Sequence, residues 1–239
     1  MENEDNYFLA EGLRKSFESV DIDVSFSCGR GSMTAIVGPS GSGKSTVLRM
    51  IAGLETPDEA KDEAKDEGKE TRIELDGRRI EKERPSRRGL GMVSQSPALF
   101  EHLTVEDNVS YGLVSAGMKK KLAREKANEF LKKFNLEGFG KRYPDTLSGG
   151  EAQRVSLART LIMKPKLVLF DEPLSALDAP LRKKLAALIR DLQRTFGFTG
   201  IMVTHDIEEA KSICDKVILI EKGKIKWEGN PDDFGIEKF

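Results

Sequence analysis

Gly38-Pro39-Ser40-Gly41-Ser42-Gly43-Lys44-Ser45-Thr46 decides the fold. It has the phosphate-loop form G-x-x-x-x-G-K-[ST], directly after the apolar run Met33 to Val37 and directly before a run of helical period. The glycines let the chain wrap with its N–H groups turned inward, and the helix that follows adds the positive end of its dipole, so the backbone itself binds an anion. Lys44 is placed to neutralise the β and γ phosphates, and Ser45 to offer a hydroxyl to Mg2+. All nine residues are candidate nucleotide ligands. The loop alone implies nucleotide binding and says nothing of turnover.

Working outward, the second half of the chemistry lies at Leu167-Val168-Leu169-Phe170-Asp171-Glu172, an apolar strand ending in two adjacent carboxylates. Ligands of open α/β sheets sit at that edge of a strand. Asp171 is the candidate Mg2+ residue, and Glu172 the candidate general base for an attacking water. Further short apolar runs, Ile201 to Val203 and Val217 to Ile220, have the look of buried parallel strands. A helix is expected from about Pro180 to Phe196, with Leu181, Leu185, Leu188, Leu192 and Phe196 on one face and Arg182, Lys183, Lys184 and Asp191 opposite. Near the N-terminus Ile22, Val24 and Phe26 alternate in period two, the mark of an antiparallel β unit. Between Thr104 and Lys164 only helical patterns occur.

The expected fold is therefore α/β, a single domain over 1–239: a phosphate-loop NTPase core at about 1–94 and 166–239, with an all-helical lobe inserted at about 95–165. The stretch Asp58 to Glu70, DEAKDEAKDEGKE, carries no aliphatic residue larger than alanine and reads as a charged surface insertion. With 39 Lys and Arg against 40 Asp and Glu, the net charge of -1 supplies no electrostatic reason to expect nucleic acid or an anionic membrane surface as partner. No run approaches the roughly 18 apolar residues of a membrane span, and the start lacks the basic-then-apolar order of a secretory signal, so a cytoplasmic location is expected. The two cysteines, Cys28 and Cys214, lack metal-type spacing and carry no assigned chemistry.

Leu147-Ser148-Gly149-Gly150-Glu151 opens with an S-x-x-E capping box, which places a second helix N-terminus, and with it a second possible anion site, about a hundred residues after the phosphate loop. With Gln95 after the strand-like Leu90 to Ser94, Ser175-Ala176-Leu177-Asp178, and His205 after Ile201 to Thr204, the whole chain resembles the ATP-binding-cassette ATPases. Their signature peptide has the form L-S-G-G-Q, and Glu151 stands where the family more often has Gln. The resemblance implies ATP and Mg2+ as cofactors, and a second copy of the chain whose Ser148, Gly149, Gly150 and Glu151 close on the nucleotide seated on Lys44. It implies that Gln95 senses Mg2+ and the γ-phosphate, that His205 orients the attacking water, and that Asp178 communicates across the dimer. It also implies an aromatic stacked on adenine, with Phe17 in the corresponding place and Tyr7 and Phe8 as further candidates.

Within the family the resemblance is nearest to importer subunits of the thiamine, iron, molybdate and polyamine group. It implies a peripheral motor on the cytoplasmic face of the membrane, seated on permease subunits through Gln95 to Leu103 and the helical lobe, and served by an extracytoplasmic binding protein. A soluble cassette for translation or DNA repair is the first alternative. Such proteins usually have tandem cassettes or a long coiled-coil insertion, and neither pattern occurs in this sequence. A nucleotide-sensing regulator without turnover is the second, and Glu172 discriminates it. The cargo is not legible in the residues.

Overall fold

A computed structural model describes residues 7–59 and 70–235. The charged repeat therefore lies mostly outside the described residues; its first residue, Asp58, accepts a hydrogen bond from the Ser16 N–H at 2.8 Å. In chain order the elements are β1 (Phe8–Ser16), β2 (Asp21–Cys28), β3 (Met33–Val37), α1 (Lys44–Ala52), β4 (Arg72–Leu75), β5 (Arg78–Arg79) and β6 (Leu90–Ser94). There follow α2 (Val105–Ser115), α3 (Lys120–Lys132), α4 (Gly149–Leu161), β7 (Leu167–Asp171), α5 (Ala179–Phe196), β8 (Thr199–Val203), α6 (Ile207–Ile213), β9 (Lys216–Glu221) and β10 (Lys224–Gly229).

All ten strands form one sheet, in the order β5-β4-β1-β2-β10-β9-β3-β8-β7-β6. The half from β9 to β6 is parallel, and β1, β2, β4 and β5 pair antiparallel. The continuous apolar runs follow from burial on both faces. On β7, Val168 and Phe170 join one core cluster while Leu167 and Leu169 join the other. In β2, by contrast, Ile22, Val24 and Phe26 are buried and their neighbours Asp21, Asp23 and Ser25 are exposed, so one face alone meets the core.

The first cluster runs from Met33 and Phe170 without a break into Val105, Val109, Ala127 and Leu131 of α2 and α3. The helical segment thus shares the core of the sheet. The second cluster holds α1, through Val47, Leu48, Met50 and Ile51, against both halves of the sheet. The amphipathic reading of α5 corresponds to burial of Leu185, Ile189 and Leu192, with Lys183, Lys184 and Asp191 exposed.

Candidate functional site

The register of the parallel strands sets one level across the sheet. Ser94 on β6 pairs with Asp171 on β7, Asp171 with Val203 on β8, and Ile36 on β3 with Val203. Just beyond that level the chain leaves each strand, so the phosphate loop, His205, Glu172 and Gln95 all emerge at one edge although as many as 167 positions separate them in sequence (205 less 38). Four local runs are thus brought to one edge of the sheet by strand order.

A cleft of about 600 Å3 opens there, lined by Phe17, Val20, Ser40, Gly41, Gly43, Lys44, Ser45, Thr46, Glu172 and His205. Gly43 caps α1 at φ 97°, and a Cβ on it would lie 2.6 Å from Ile22 Cδ1, so only glycine lets the loop close over β2. Lys44 Nζ donates to the Gly38 and Pro39 carbonyls, each at 2.8 Å, and the residue as a whole is buried. Burial pulls its pKa below the ordinary value, with Glu172 and Asp171 opposing. Ser42, whose side chain is buried, lies between these residues in the loop.

Ser45 Oγ donates to Asp171 Oδ1 at 2.7 Å, which joins the start of α1 to the end of β7 across the intervening strand β8. Glu172 Oε2 lies 3.2 Å from His205 Nδ1. Glu172 sits at φ 48°, in the left-handed region that costs a side-chain-bearing residue about 1–2 kcal/mol. Its N–H is held by the Val203 carbonyl at 3.0 Å, and its carbonyl accepts from Ser175 Oγ at 3.0 Å. Strain held by surrounding bonds is a frequent mark of functional turns. The arrangement presents a cation, a strand-end carboxylate with a hydroxyl, and a second carboxylate beside an imidazole, groups of the kind that can bind a polyphosphate and activate water on it.

Among the three aromatic candidates for the adenine, Phe17 is 44% exposed and lines the cleft. Phe8 has no exposed surface, being packed in the core, and cannot meet a base. Tyr7 lies under the Arg30 guanidinium, 4.4 Å from its ring centre, and lines a different cavity with Phe196 and Lys166. Val20, beside Phe17 in the cleft, had no sequence signal because a lone valine after a turn looks like any other.

Residues 22–175 match the family described as ABC transporter. The chain belongs to this family. It is 45% identical over 223 residues to the "Fe(3+) ions import ATP-binding protein FbpC" of Rhizobium etli, covering 92% of this chain and 60% of that protein. The proteins of the same name from Photobacterium profundum and Escherichia coli O157:H7 are each 41% identical, over 98% and 95% of this chain and 64% and 63% of their own lengths. The chain thus spans somewhat under two thirds of these relatives. Among solved structures it is similar to cbiO1 from Clostridium perfringens, part of the ABC transporter complex cbiONQ, with TM-score 0.80, 28% identity and coverage of 96% of this chain and 90% of that one. It is also similar to an ATP-binding cassette in a dimeric post-hydrolysis state bound to ADP and Pi, with TM-score 0.77, 29% identity and coverage of 95% and 100%.

The remaining family positions lie outside the cleft lining. Gln95 is exposed and follows β6, three strand positions from β3, or about 14 Å at the ordinary strand spacing. Ser148 caps α4: its Oγ accepts from the Glu151 N–H at 3.4 Å, while Glu151 Oε2 accepts from the Ser148 N–H at 2.7 Å, and that backbone hydrogen bond holds the carboxyl below the ordinary range. The two glycines after it differ. Gly149 has open space around it, whereas a Cβ on Gly150 would lie 2.5 Å from Leu181 Cδ2, so Gly150 serves close packing against α5. Asp178 caps α5, accepting from the Leu181 N–H at 2.9 Å.

Sequence patterns missed what holds these parts together. Gln153 and Arg159 on α4 donate to the loop around Gln95: Gln153 Nε2 to the Ser94 carbonyl at 3.2 Å, and Arg159 to the Ala98 and Pro97 carbonyls at 2.8 and 3.0 Å. The capped helix and the Gln95 loop are thereby tied. No periodicity marks an arginine that binds main-chain carbonyls.

Proposed function

We propose that this chain is the ATP-binding and ATP-hydrolysing subunit of a membrane importer. The observation that carries the reading is the gathering of Lys44, the Ser45–Asp171 pair and the Glu172–His205 pair at one edge of the sheet. Among the described residues no group of three or more His, Cys, Asp or Glu could hold a metal by itself. The two oxygen donors Ser45 and Asp171 nevertheless suit Mg2+, which takes few protein ligands and completes its shell with phosphate and water. When bound, the ion neutralises charge on the β and γ phosphates. Lys44 holds the same phosphates, Phe17 stacks on adenine, Gln95 reports the γ-phosphate, and His205 orients the water from which Glu172 takes a proton. A base of this kind contributes roughly 10²–10⁴ in rate.

Because Ser148 lies outside the chain's own cleft, we place it on the nucleotide of a second copy, so that ATP closes a homodimer and hydrolysis releases it. The dimeric neighbour with ADP and Pi supports this arrangement. Permease subunits read the change at the cytoplasmic face of the membrane, with an extracytoplasmic binding protein delivering the cargo. The relatives named for Fe(3+) import support ferric iron as that cargo. Glu172→Gln is expected to abolish steady-state ATP hydrolysis while preserving ATP-dependent dimerisation on a sizing column. Unchanged turnover in the variant would reject the base and, with it, the mechanism.

A further inference from the structure

Arg182 belongs by periodicity to the polar face of α5, yet only a third of its side chain is exposed, and its guanidinium is committed to protein partners. Its Nη2 donates to the Leu177 carbonyl at 3.0 Å, and its Nη1 meets Asp206 Oδ2 at 3.2 Å. Leu177 immediately precedes Asp178, and Asp206 immediately follows His205. One planar guanidinium therefore spans the loop that starts α5 and the loop that starts α6, a two-point bond that the arginine fork makes with fixed geometry. Both ends are held further. Asp178 and Asp206 each cap their own helix, the Asp206 N–H donates to Thr204 Oγ1 at 3.0 Å, and Thr204 Oγ1 donates to Glu209 Oε2 at 2.9 Å. Hydrogen bonds thus run from the 174–178 loop to the residues on either side of His205. A cavity of about 420 Å3, lined by Arg182, Asp206 and Glu209 among others, borders the link and leaves the arginine room to shift without repacking the core.

We propose that Arg182 is a positioning residue that couples the Asp178 loop to His205, so that the placement of His205 beside Glu172 depends on the state of that loop. The inference rests on the ATPase reading above. The test is steady-state Mg-ATP hydrolysis by the full chain, comparing Arg182→Gln, Arg182→Lys, Asp206→Asn and His205→Ala with the parent, and the double variant Arg182→Gln/His205→Ala.

Arg182→Gln is expected to lower kcat about tenfold. KM should stay within about twofold, the pattern of an interaction felt in the transition state rather than in binding. Arg182→Lys should recover part of the loss, since a single ammonium keeps the Asp206 contact without the fork. Adding Arg182→Gln to His205→Ala should cost nothing further, because the coupling has lost its target. Losses that multiply in the double variant, or a change confined to KM, overturn the proposal. Should Arg182→Gln fail to fold, Asp206→Asn decides: asparagine still caps α6 but loses the charge, and a parent-like kcat in that variant overturns the proposal equally. If the parent hydrolyses no ATP, the ATPase reading itself falls; if His205→Ala loses turnover and the Arg182 variants do not, the coupling alone falls.

Discussion

Glu209 on α6 shows how much a single buried group near the cleft can cost. One carboxylate oxygen accepts from Thr204 Oγ1 at 2.9 Å; the other is buried without a protein partner among the described residues. Burial pushes this carboxyl up to about 7, with Asp206 adding to the rise and the Thr204 hydrogen bond, Arg182 and His205 opposing it. A folded-state value above the ordinary 4.5 means that the folded protein holds this proton more tightly than the unfolded chain does. The corresponding stability is complete below the ordinary value and is lost as pH rises through about 7. Glu209→Gln, neutral throughout, should therefore gain stability over the parent as pH is raised. We expect a difference near zero at about pH 4 and growing to about 3 kcal/mol at about pH 8, read by urea denaturation at each pH. A constant difference across that range would contradict the burial argument.

Among the elements, α1 sets the phosphate loop, and its far end is secured by one residue. Arg88 is buried and donates Nη1 to the Met50 and Ile51 carbonyls at 3.0 and 2.7 Å, Nη2 to the Glu81 carbonyl at 2.8 Å and Nε to the Glu83 carbonyl at 3.0 Å. A cation at a helix C-terminus also meets the negative end of the dipole. Burial pulls its pKa down, with Glu81 and Glu83 opposing. Arg88→Met fills similar space but strands several carbonyls, and should cost about 3 kcal/mol or more. A drop in the urea midpoint with an unchanged m-value is the expected reading. A loss below about 1 kcal/mol would show that water replaces the guanidinium there. The helix pair α4 and α5 illustrates a different device: Gly150 removes a side chain so that Leu181 can close in, and the caps Ser148 and Asp178 begin two helices packed at that point.

For the molecule as a whole, the proposal that each ATP site takes Ser148 from the other chain has a consequence that no single variant can test. Lys44→Ala and Ser148→Arg chains should each be inactive alone. Mixed, they form a dimer in which one site combines both defects and the other has an intact Lys44 facing an intact Ser148. Turnover should then reappear, at up to about half the parental rate when every dimer is mixed, reflecting one working site of two. Continued inactivity after exchange of subunits would argue against composite sites. The proposed docking on permease subunits is another whole-molecule matter. Among the described residues no helix is long and apolar enough to cross a membrane, and Tyr111, Val114 and Met163 are large apolar residues exposed on the helical segment.

Local runs of residues were sufficient for the phosphate loop, the Asp171-Glu172 strand end, the Ser148 capping box and the amphipathic face of α5. Each depends on spacing within a single short run of the chain, where glycine conformations, helix period and capping bonds act directly. The short strands β4, β5 and β10 carried no such pattern, since charged residues occupy much of them and their pairing is decided by neighbours distant in sequence. The strand order sets Lys44, Glu172 and His205 around one cleft with Asp171 behind them on Ser45, places Phe17 there and Phe8 in the core, and leaves Gln95, Ser148 and Asp178 outside it. Arg88, Arg159 and Arg182 bind main-chain carbonyls, which every residue possesses, so no sequence pattern can mark their partners. Only the packing of helices against the sheet brings a particular carbonyl within reach.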